Sequence, residues 1–167
     1  MKIFKDNRGF SIAEIVVVLF VISLGMIGVM SLSARNIKAQ NINKNRIIAH
    51  QLTQEGLEII RNVRDLNWKN SYDYNAGLSN GNYRVDYSGY LQYTTAGIAS
   101  AGLQIKDDGT YAGFYVHDNN EPDSIFSRLV TISTNDAYSI KVVCLVQWVD
   151  RGQTYQYSAE EILYDWN

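Results

Sequence analysis

The feature that most constrains this chain is an uninterrupted apolar run near its start. No charged residue occurs from Ile15 to Ala34, which is about the ~20 residues that an α-helix needs to cross a hydrocarbon core of ~30 Å. Glu14 immediately precedes the run. An ionised carboxylate within a membrane span costs on the order of 2.5 to 3.5 kcal/mol even on lenient insertion scales. The run therefore predicts a transmembrane helix, and Glu14 requires a functional explanation.

A short basic segment precedes the apolar run and sets its expected orientation. Residues 1–9, MKIFKDNRG, carry lysines and an arginine against the single acidic residue Asp6. Positively charged flanks stay on the cytoplasmic side of a membrane. The sequence therefore predicts a single-pass protein of the cytoplasmic membrane, with its N-terminus inside, residues 10–34 as the transmembrane segment and its C-terminus outside.

The helix is expected to continue beyond the membrane. No proline occurs before Pro122, so nothing in residues 35–67 forces the helix to end. In this amphipathic continuation apolar residues recur at steps of three and four, the period of one helix face. The predicted stripe consists of Ile48, Leu52, Ile59, Val63 and Leu66, with Gly56 in the gap. One helix from about Phe10 to Leu66 is predicted, with a stripe that needs a partner.

The partner is expected in residues 68–167. A loop rich in Asn, Gly, Ser and Tyr comes first there, and short segments of alternating apolar and polar residues follow it. The clearest pair is YSIKVVCLVQWVD and TYQYSAEEILYDW, separated by Arg151-Gly152-Gln153, a pattern typical of a hairpin. Further strands are predicted at 83–87, 103–105 and 129–134. The predicted fold class is α+β: a long N-terminal helix, transmembrane in its first half, packed against a C-terminal antiparallel sheet of roughly four to six strands.

Composition narrows the classes of function. Of the 15 lysines and arginines only 6 follow Trp68, where 12 acidic residues lie, and the resulting net charge of −6 is a poor match for nucleic acid. Cys144 is the single cysteine, which excludes an intramolecular disulfide, and the 2 histidines leave no Cys/His metal spacing. No cofactor is predicted. All 12 tyrosines follow Trp68, as expected of half-buried sheet residues or, alternatively, of an exposed cluster that binds a partner.

The start of the chain also carries a recognisable pattern of residues. The basic leader ends in Gly9 and is followed by Phe10, the hydroxyl residue Ser11, two apolar residues, Glu14 and the apolar run. This pattern resembles the N-terminal signature of type IV pilins and pseudopilins. The resemblance implies a class III prepilin leader: a prepilin peptidase cuts between Gly9 and Phe10, Phe10 is N-methylated, and Glu14 is required for filament assembly. It also implies other pilin subunits, an inner-membrane assembly platform and membrane lipid as partners.

Two further stretches, AHQLTQEGLEIIRNVRDLNW and VQWVDRGQTYQYSAEEILYDW, also resemble minor pilins. The C-terminal disulfide loop of many major pilins cannot form with one cysteine, which favours a minor pilin or a pseudopilin over a major pilin. The resemblance therefore implies a structural subunit of a type IV pilus, found in an extracellular or periplasmic filament, and not an enzyme. Two alternatives stay open: a pseudopilin of a type II secretion or DNA-uptake machine, and, from another class, a membrane-tethered β-rich binding domain.

Electrostatics gives Glu14 a role that does not depend on the resemblance alone. If the chain is cut after Gly9, a new ammonium group appears at Phe10. In a bundle of staggered helices, Glu14 of one subunit can reach this cation on its neighbour, and a wrong stagger leaves both charges unpaired at a cost of ~3 to 5 kcal/mol. The alternative is that Glu14 lies close enough to the lipid headgroups to remain hydrated.

Three other motifs have both a functional and a structural interpretation. Ser31-Leu32-Ser33 offers the small residues of a secretory cleavage site. GLSNG at 77–81 matches a nucleophile pattern around Ser79, yet such a serine needs a strand before it and a helix after it. HDNNEPD at 117–123 offers oxygen ligands, and calcium in the 118–123 loop is kept as an alternative to a solvated loop.

Overall fold

The computed structural model describes residues 11–89, 91–107 and 109–165 of the 167-residue chain. They form one α-helix, α1 at Ile12–Lys69, and a sheet of seven strands. The strands are β1 Gly81–Val85, β2 Leu91–Thr94, β3 Gly102–Ile105, β4 Tyr115–Val116, β5 Asp123–Asp136, β6 Ser139–Asp150 and β7 Gln153–Tyr164. Short 3-10 turns at Ile98–Ser100 and Gly109–Tyr111 precede β3 and β4. The predicted α+β class, a long N-terminal helix with a C-terminal antiparallel sheet, is confirmed.

Helix α1 is continuous across the position where the apolar run ends. It passes Ala34 without a break and ends at Lys69, three residues beyond the predicted Leu66, whereas its predicted start at Phe10 lies outside the described residues. Polar side chains within the helix are compatible with this continuity, since the Ser23 hydroxyl donates to the Leu19 carbonyl at 2.7 Å. By its contacts the chain divides into two units, residues 1–43 and 44–167.

The sheet is organised around the 14-residue strand β5. One edge of β5 pairs with β6, which pairs in turn with β7. The other edge is shared by two strands: β1 pairs opposite Val130–Ile132, and β3 pairs opposite Asp123 and Ser127. β2 pairs with the other edge of β1, and β4 pairs with the other edge of β3. All these pairings are antiparallel. The seven strands exceed the predicted four to six, because β2 and β4 are too short to show clear alternation. The strand predicted at 83–87 ends earlier, and Tyr87 lies in a turn.

The hairpin of β6 and β7 follows the predicted pattern closely. Its turn is Arg151-Gly152, with φ of 51° and 77°, and positive φ at both central positions is the requirement of a type I′ turn. Gln153, expected in the turn, instead begins β7. The alternate residues of β6 predicted on one face are all buried, namely Ile140, Val142, Cys144, Val146 and Trp148.

In the second unit, helix α1 buries a line of small and apolar residues: Ala49, Leu52, Thr53, Gly56 and Ile60. The predicted stripe was wrong in part. Leu52 lies on this line, but Leu66 is 48% exposed, and three predicted members are only half-buried beside it, namely Ile48, Ile59 and Val63. A Cβ atom at Gly56 would lie 2.6 Å from Cys144 Sγ. Helix and sheet therefore meet where the side chains are small, because small residues let the two backbones approach closely.

Candidate functional site

The first turn of α1 is the part of the chain that the sequence identifies as functional. The Ser11 carbonyl accepts hydrogen bonds from the N–H groups of Glu14 at 3.0 Å and Ile15 at 3.2 Å. The Ser11 hydroxyl accepts from the N–H of Ala13 at 3.3 Å. Ser11 is thus the N-cap residue, which satisfies N–H groups that have no partner within the helix. The cap fixes where the helix begins and places Glu14 in its first turn.

Glu14 lies on an exposed surface of the helix. Its side chain borders a shallow apolar groove of about 250 Å³ formed with Ile15, Val18 and Leu19. No ion pair of Glu14 occurs within residues 11–89, 91–107 and 109–165. A carboxylate in a first turn interacts favourably with the partial positive charge of a helix N-terminus. The sequence reasoning missed this role, although the spacing of Ser11 and Glu14 is that of a capping box.

Of the three predicted site residues, only Glu14 lies within the described residues. Gly9, the predicted cleavage position, and Phe10, predicted to be cut and N-methylated, lie outside the described residues. The surroundings of Glu14 alone, among the three, are therefore defined by the structure.

The apolar surface of α1 is exposed throughout the described part of the first unit. Residues 11–41 are all exposed, including every large apolar side chain from Ile12 to Leu32. This part of α1 is long and apolar enough to cross a membrane. A continuous exposed apolar surface of this kind requires a partner, either lipid or protein.

The second unit contains a buried charged residue that the sequence reasoning also missed. Arg128 on β5 is 0% exposed. Its guanidinium donates to the Leu52 carbonyl of α1 at 3.1 Å and to the Val85 carbonyl of β1 at 2.5 and 3.2 Å. Glu55 Oε1 lies 3.3 Å from Nη1. Arg128 therefore ties α1 to the end of β1, and the alternation of β5 could have revealed it on the inward face with Phe126, Val130 and Ile132.

The GLSNG motif does not have the geometry of a catalytic serine. Ser79 lies in the loop that leads into β1, and its carbonyl accepts a hydrogen bond from the Tyr83 hydroxyl at 2.8 Å. A strand therefore follows this serine, whereas the nucleophile pattern places a helix there.

The carboxylates of the 118–123 loop bind neighbouring side chains. Asp118 accepts from the amide of Asn120 at 2.9 Å, and Asp123 accepts from the amide of Gln104 at 2.9 Å. Glu121 accepts from Lys106 Nζ at 3.1 Å, which holds the pKa of this carboxyl below its usual range. In the part of the chain that the structure describes, no group of three or more His, Cys, Asp or Glu side chains is arranged to hold a metal ion.

The tyrosines occupy more environments than the two predicted. Tyr115, Tyr155 and Tyr157 are half-buried strand residues, as predicted, whereas Tyr74 and Tyr83 are buried. Tyr87, Tyr111 and Phe114 instead form a partly exposed group, with ring centroids 4.9 to 5.7 Å apart.

Comparison with protein-family models, curated proteins and solved structures finds no match to this chain.

Proposed function

We propose that the protein is a structural subunit of a type IV pilus, a minor pilin, that assembles through its N-terminal helix and is not an enzyme. The observation that carries this proposal is the first half of α1. It is apolar, α1 continues from it without a break into residues 44–167, here called the head, and residues 11–41 are all exposed within the described part of the chain. A helix used only as an anchor needs to be apolar, but it needs neither this continuity nor a carboxylate in its first turn.

The uncovered helix has a partner at each stage of the proposed life of the subunit. Before assembly, lipid covers the apolar residues of a span oriented with the N-terminus inside and the C-terminus outside. After assembly, the helices of neighbouring subunits cover the same residues in the core of an extracellular or periplasmic filament. The prepilin peptidase and the inner-membrane assembly platform act between these two stages.

Glu14 supports the proposal through its position. Its carboxylate lies in the capped first turn of α1, and Glu14 follows Phe10 by four residues in the sequence. After cleavage at Gly9, the ammonium group of Phe10 on a staggered neighbour is a partner for Glu14. The pair neutralises two charges in an apolar bundle, and the cost of an unpaired charge selects the correct stagger.

Mass spectrometry of the mature protein, purified from the membrane of its own host, tests the proposal. We expect a chain that begins at Phe10 and carries one N-methyl group. Gly9→Leu should block the cleavage while leaving the helix in the membrane. A mature N-terminus near Ala34 would instead indicate ordinary secretion, and an intact leader without methylation would indicate a tethered domain; either result overturns the proposal.

A further inference from the structure

A strongly basic stretch of α1 directly follows the apolar run. Residues 35–46, here called the basic segment, have the sequence RNIKAQNINKNR. Four of the 12 side chains are cationic and all four are exposed, namely Arg35, Lys38, Lys44 and Arg46. Five others are amides, and no residue of the segment is acidic. The basic segment therefore presents four positive charges and many hydrogen-bond donors to its surroundings.

The four cations have no carboxylate within reach along the helix. No Asp or Glu occurs from Ile15 to Gln54, whereas an ion pair on one helix face needs a spacing of three or four residues. Within residues 11–89, 91–107 and 109–165, none of the four cations forms an ion pair. The positive charge of the basic segment therefore calls for a partner of opposite charge.

The spacing along α1 places this charge beside the expected membrane surface. At a rise of about 1.5 Å per residue, Arg35 lies about 1.5 Å and Lys38 about 6 Å beyond Ala34, the last residue of the apolar run. The headgroup layer on each side of the hydrocarbon core is about 5 to 8 Å thick. Lys44 and Arg46 lie about 15 and 18 Å beyond Ala34, which is within a Debye length of about 10 Å from that layer.

The chemistry of the basic segment selects among the lipids of a bilayer. Phosphate oxygens only accept hydrogen bonds, and Lys and Arg side chains only donate them. A zwitterionic lipid carries its own cation beside the phosphate, whereas an anionic lipid leaves a negative charge uncompensated. Clusters of Lys and Arg next to a membrane span are attracted to anionic lipids for this reason.

The acidic part of a second copy is the competing partner. Residues after Trp68 carry 12 acidic and 6 basic residues. However, the apolar run holds the basic segment at the headgroup layer of every inserted copy, whereas a second copy has to be brought to it. A binding site that is linked to its partner benefits from a high effective concentration, which favours the lipid.

We propose that the basic segment binds anionic phospholipid headgroups, with Arg35 and Lys38 inside the headgroup layer and Lys44 and Arg46 just above it. In the orientation proposed for the span, these lipids belong to the outer leaflet. This binding requires the apolar run to span a bilayer, but it does not depend on assembly into a pilus.

The test uses the full chain reconstituted in phosphatidylcholine vesicles, with flotation to establish that the chain is in the membrane. Trace amounts of spin-labelled phosphatidylglycerol or phosphatidylcholine report, by electron paramagnetic resonance, the fraction of lipid held by the protein. We expect phosphatidylglycerol to associate about two- to fivefold more strongly at about 0.1 M salt. The preference should largely disappear at about 1 M salt, where the Debye length is about 3 Å.

Arg35→Gln combined with Lys38→Gln removes the two charges of the headgroup layer and should bring the ratio of the two association constants close to one. Lys69→Gln combined with Arg151→Gln is the matched control, because it removes two exposed charges outside the basic segment. Arg35→Lys combined with Lys38→Arg keeps both charges and should keep the preference. Thermal melts establish that the head of each variant folds.

A preference for phosphatidylglycerol that the Gln pair at 35 and 38 loses, and that the control and the exchanged pair retain, would support the proposal. Equal association of both lipids with the wild type would overturn it, as would a chain that does not float with the vesicles. A preference retained by the Gln pair would place the lipid elsewhere, and an equal loss in the control would assign it to net charge alone.

Two further measurements separate the competing partners. If inorganic phosphate abolishes the preference and chloride at equal ionic strength does not, the segment is a site for free anions, which contradicts the proposal. Carbodiimide crosslinking between copies in the same vesicles tests the second copy. Fewer crosslinks in the Gln pair, with an unchanged lipid preference, would assign the basic segment to the acidic part of a neighbouring chain and overturn the proposal.

Discussion

The two halves of α1 have the same secondary structure and opposite relations to the rest of the chain. In residues 11–41 every side chain is exposed, although most of them are apolar. From Lys44 onward the helix belongs to a unit with its own core, and it buries five residues between Ala49 and Ile60. The exposed half is poor in charge, since Glu14 is the only charged residue between Ser11 and Ala34, and the other charged residues of α1 all lie from Arg35 onward.

This difference shows that the apolar periodicity of a helix does not reveal what covers it. The second half has small residues at the point of closest approach and a partner within the same chain. The first half has branched apolar residues on all sides, which no single sheet could cover. A helix that is apolar all round requires surroundings on every side, such as lipid or a bundle of identical helices.

The largest effect is expected from a charge on the covered half. Ile60→Asp places a carboxylate at a position with 0% exposure, and the free energy of unfolding of the head should fall by more than about 4 kcal/mol. Ile59→Asp, next to it but half-buried, should cost less and keep a cooperative transition. The measurement is the thermal melt by near-UV circular dichroism of the full chain in a zwitterionic detergent.

Ile27→Asp supplies the control in the uncovered half. It should leave the melt of the head unchanged while it lowers membrane insertion by the ~2.5 to 3.5 kcal/mol of a charge in a span. Equal melting temperatures for Ile59→Asp and Ile60→Asp would contradict the line of burial described for α1.

The next effect concerns Glu14 in the uncovered half. Glu14→Gln keeps a side chain that suits a capping box but removes the charge, Glu14→Val removes both, and Glu14→Lys reverses the charge. If the carboxylate pairs with the ammonium group of Phe10, a broken pair costs ~3 to 5 kcal/mol, and filament incorporation should fall at least about 100-fold for all three variants, with Lys lowest. Processing and membrane insertion should persist.

The readout is the ratio of sheared-filament protein to membrane-bound protein at equal expression. Incorporation of the Gln variant at the wild-type level, with loss in the Val variant, would assign Glu14 to helix capping instead of subunit register. Wild-type incorporation of all three variants would make the first half of α1 only an anchor.

A smaller effect is expected where helix and sheet approach each other. Gly56→Ala brings a methyl group to 2.6 Å from Cys144 Sγ and should destabilise the head by about 1 to 3 kcal/mol. Burial raises the pKa of Cys144 to about 12, so the thiol is protonated and Cys144→Ala removes bulk without removing a charge. The double variant should recover about 1 kcal/mol or more of the loss. Additive losses in a denaturant melt would show that the two residues are not in contact.

The smallest effect is a difference in pH dependence between the head and the first half of α1. The pKa of His117 is lowered to about 4 in the folded head, whereas an unfolded histidine titrates near 6.5. The unfolded state therefore binds more protons between these values, and the free energy of unfolding should fall as the pH falls from about 6.5 to about 4. Allowing for partial exposure of the ring, we expect a loss of about 1 to 2 kcal/mol.

His117→Asn, whose amide does not titrate, isolates this contribution from that of the carboxylates. The wild type should lose more stability than the variant between pH 7 and pH 4.5, when both are followed by near-UV circular dichroism. The far-UV signal of the first half of α1 should persist, since Glu14 is its only charged residue before Arg35. Parallel pH profiles for wild type and variant would assign the acid sensitivity to other groups.

Local patterns predicted the elements whose structure is determined locally. Alternation and the Arg151-Gly152-Gln153 connection located the hairpin of β6 and β7, although its turn is one residue shorter than predicted, and the absence of proline predicted one continuous helix. The line of burial on α1 could not be predicted, because Gly56 lies inward only as a result of its approach to Cys144 on a strand 88 residues away. Strands β2 and β4 form because β1 and β3 offer them an edge.

The candidate site could be predicted only in part, because some of its contacts join residues that are far apart in the sequence. Glu14 was identified because a charge beside an apolar run is conspicuous in the sequence. Arg128 was missed because an arginine in a strand is normally expected to face solvent, and its carbonyl partners belong to α1 and β1.

The order of the elements along the chain has a consequence for synthesis. Arg61 and Glu161, which form a bidentate ion pair, are separated by 100 residues. At about 5 to 20 residues per second, the ribosome needs roughly 5 to 20 s to make that interval. During this time the buried line of the second half of α1 stays partly exposed, because the strands that cover it are still being synthesised. The nascent head therefore exposes apolar surface until β7, its last strand, has been made.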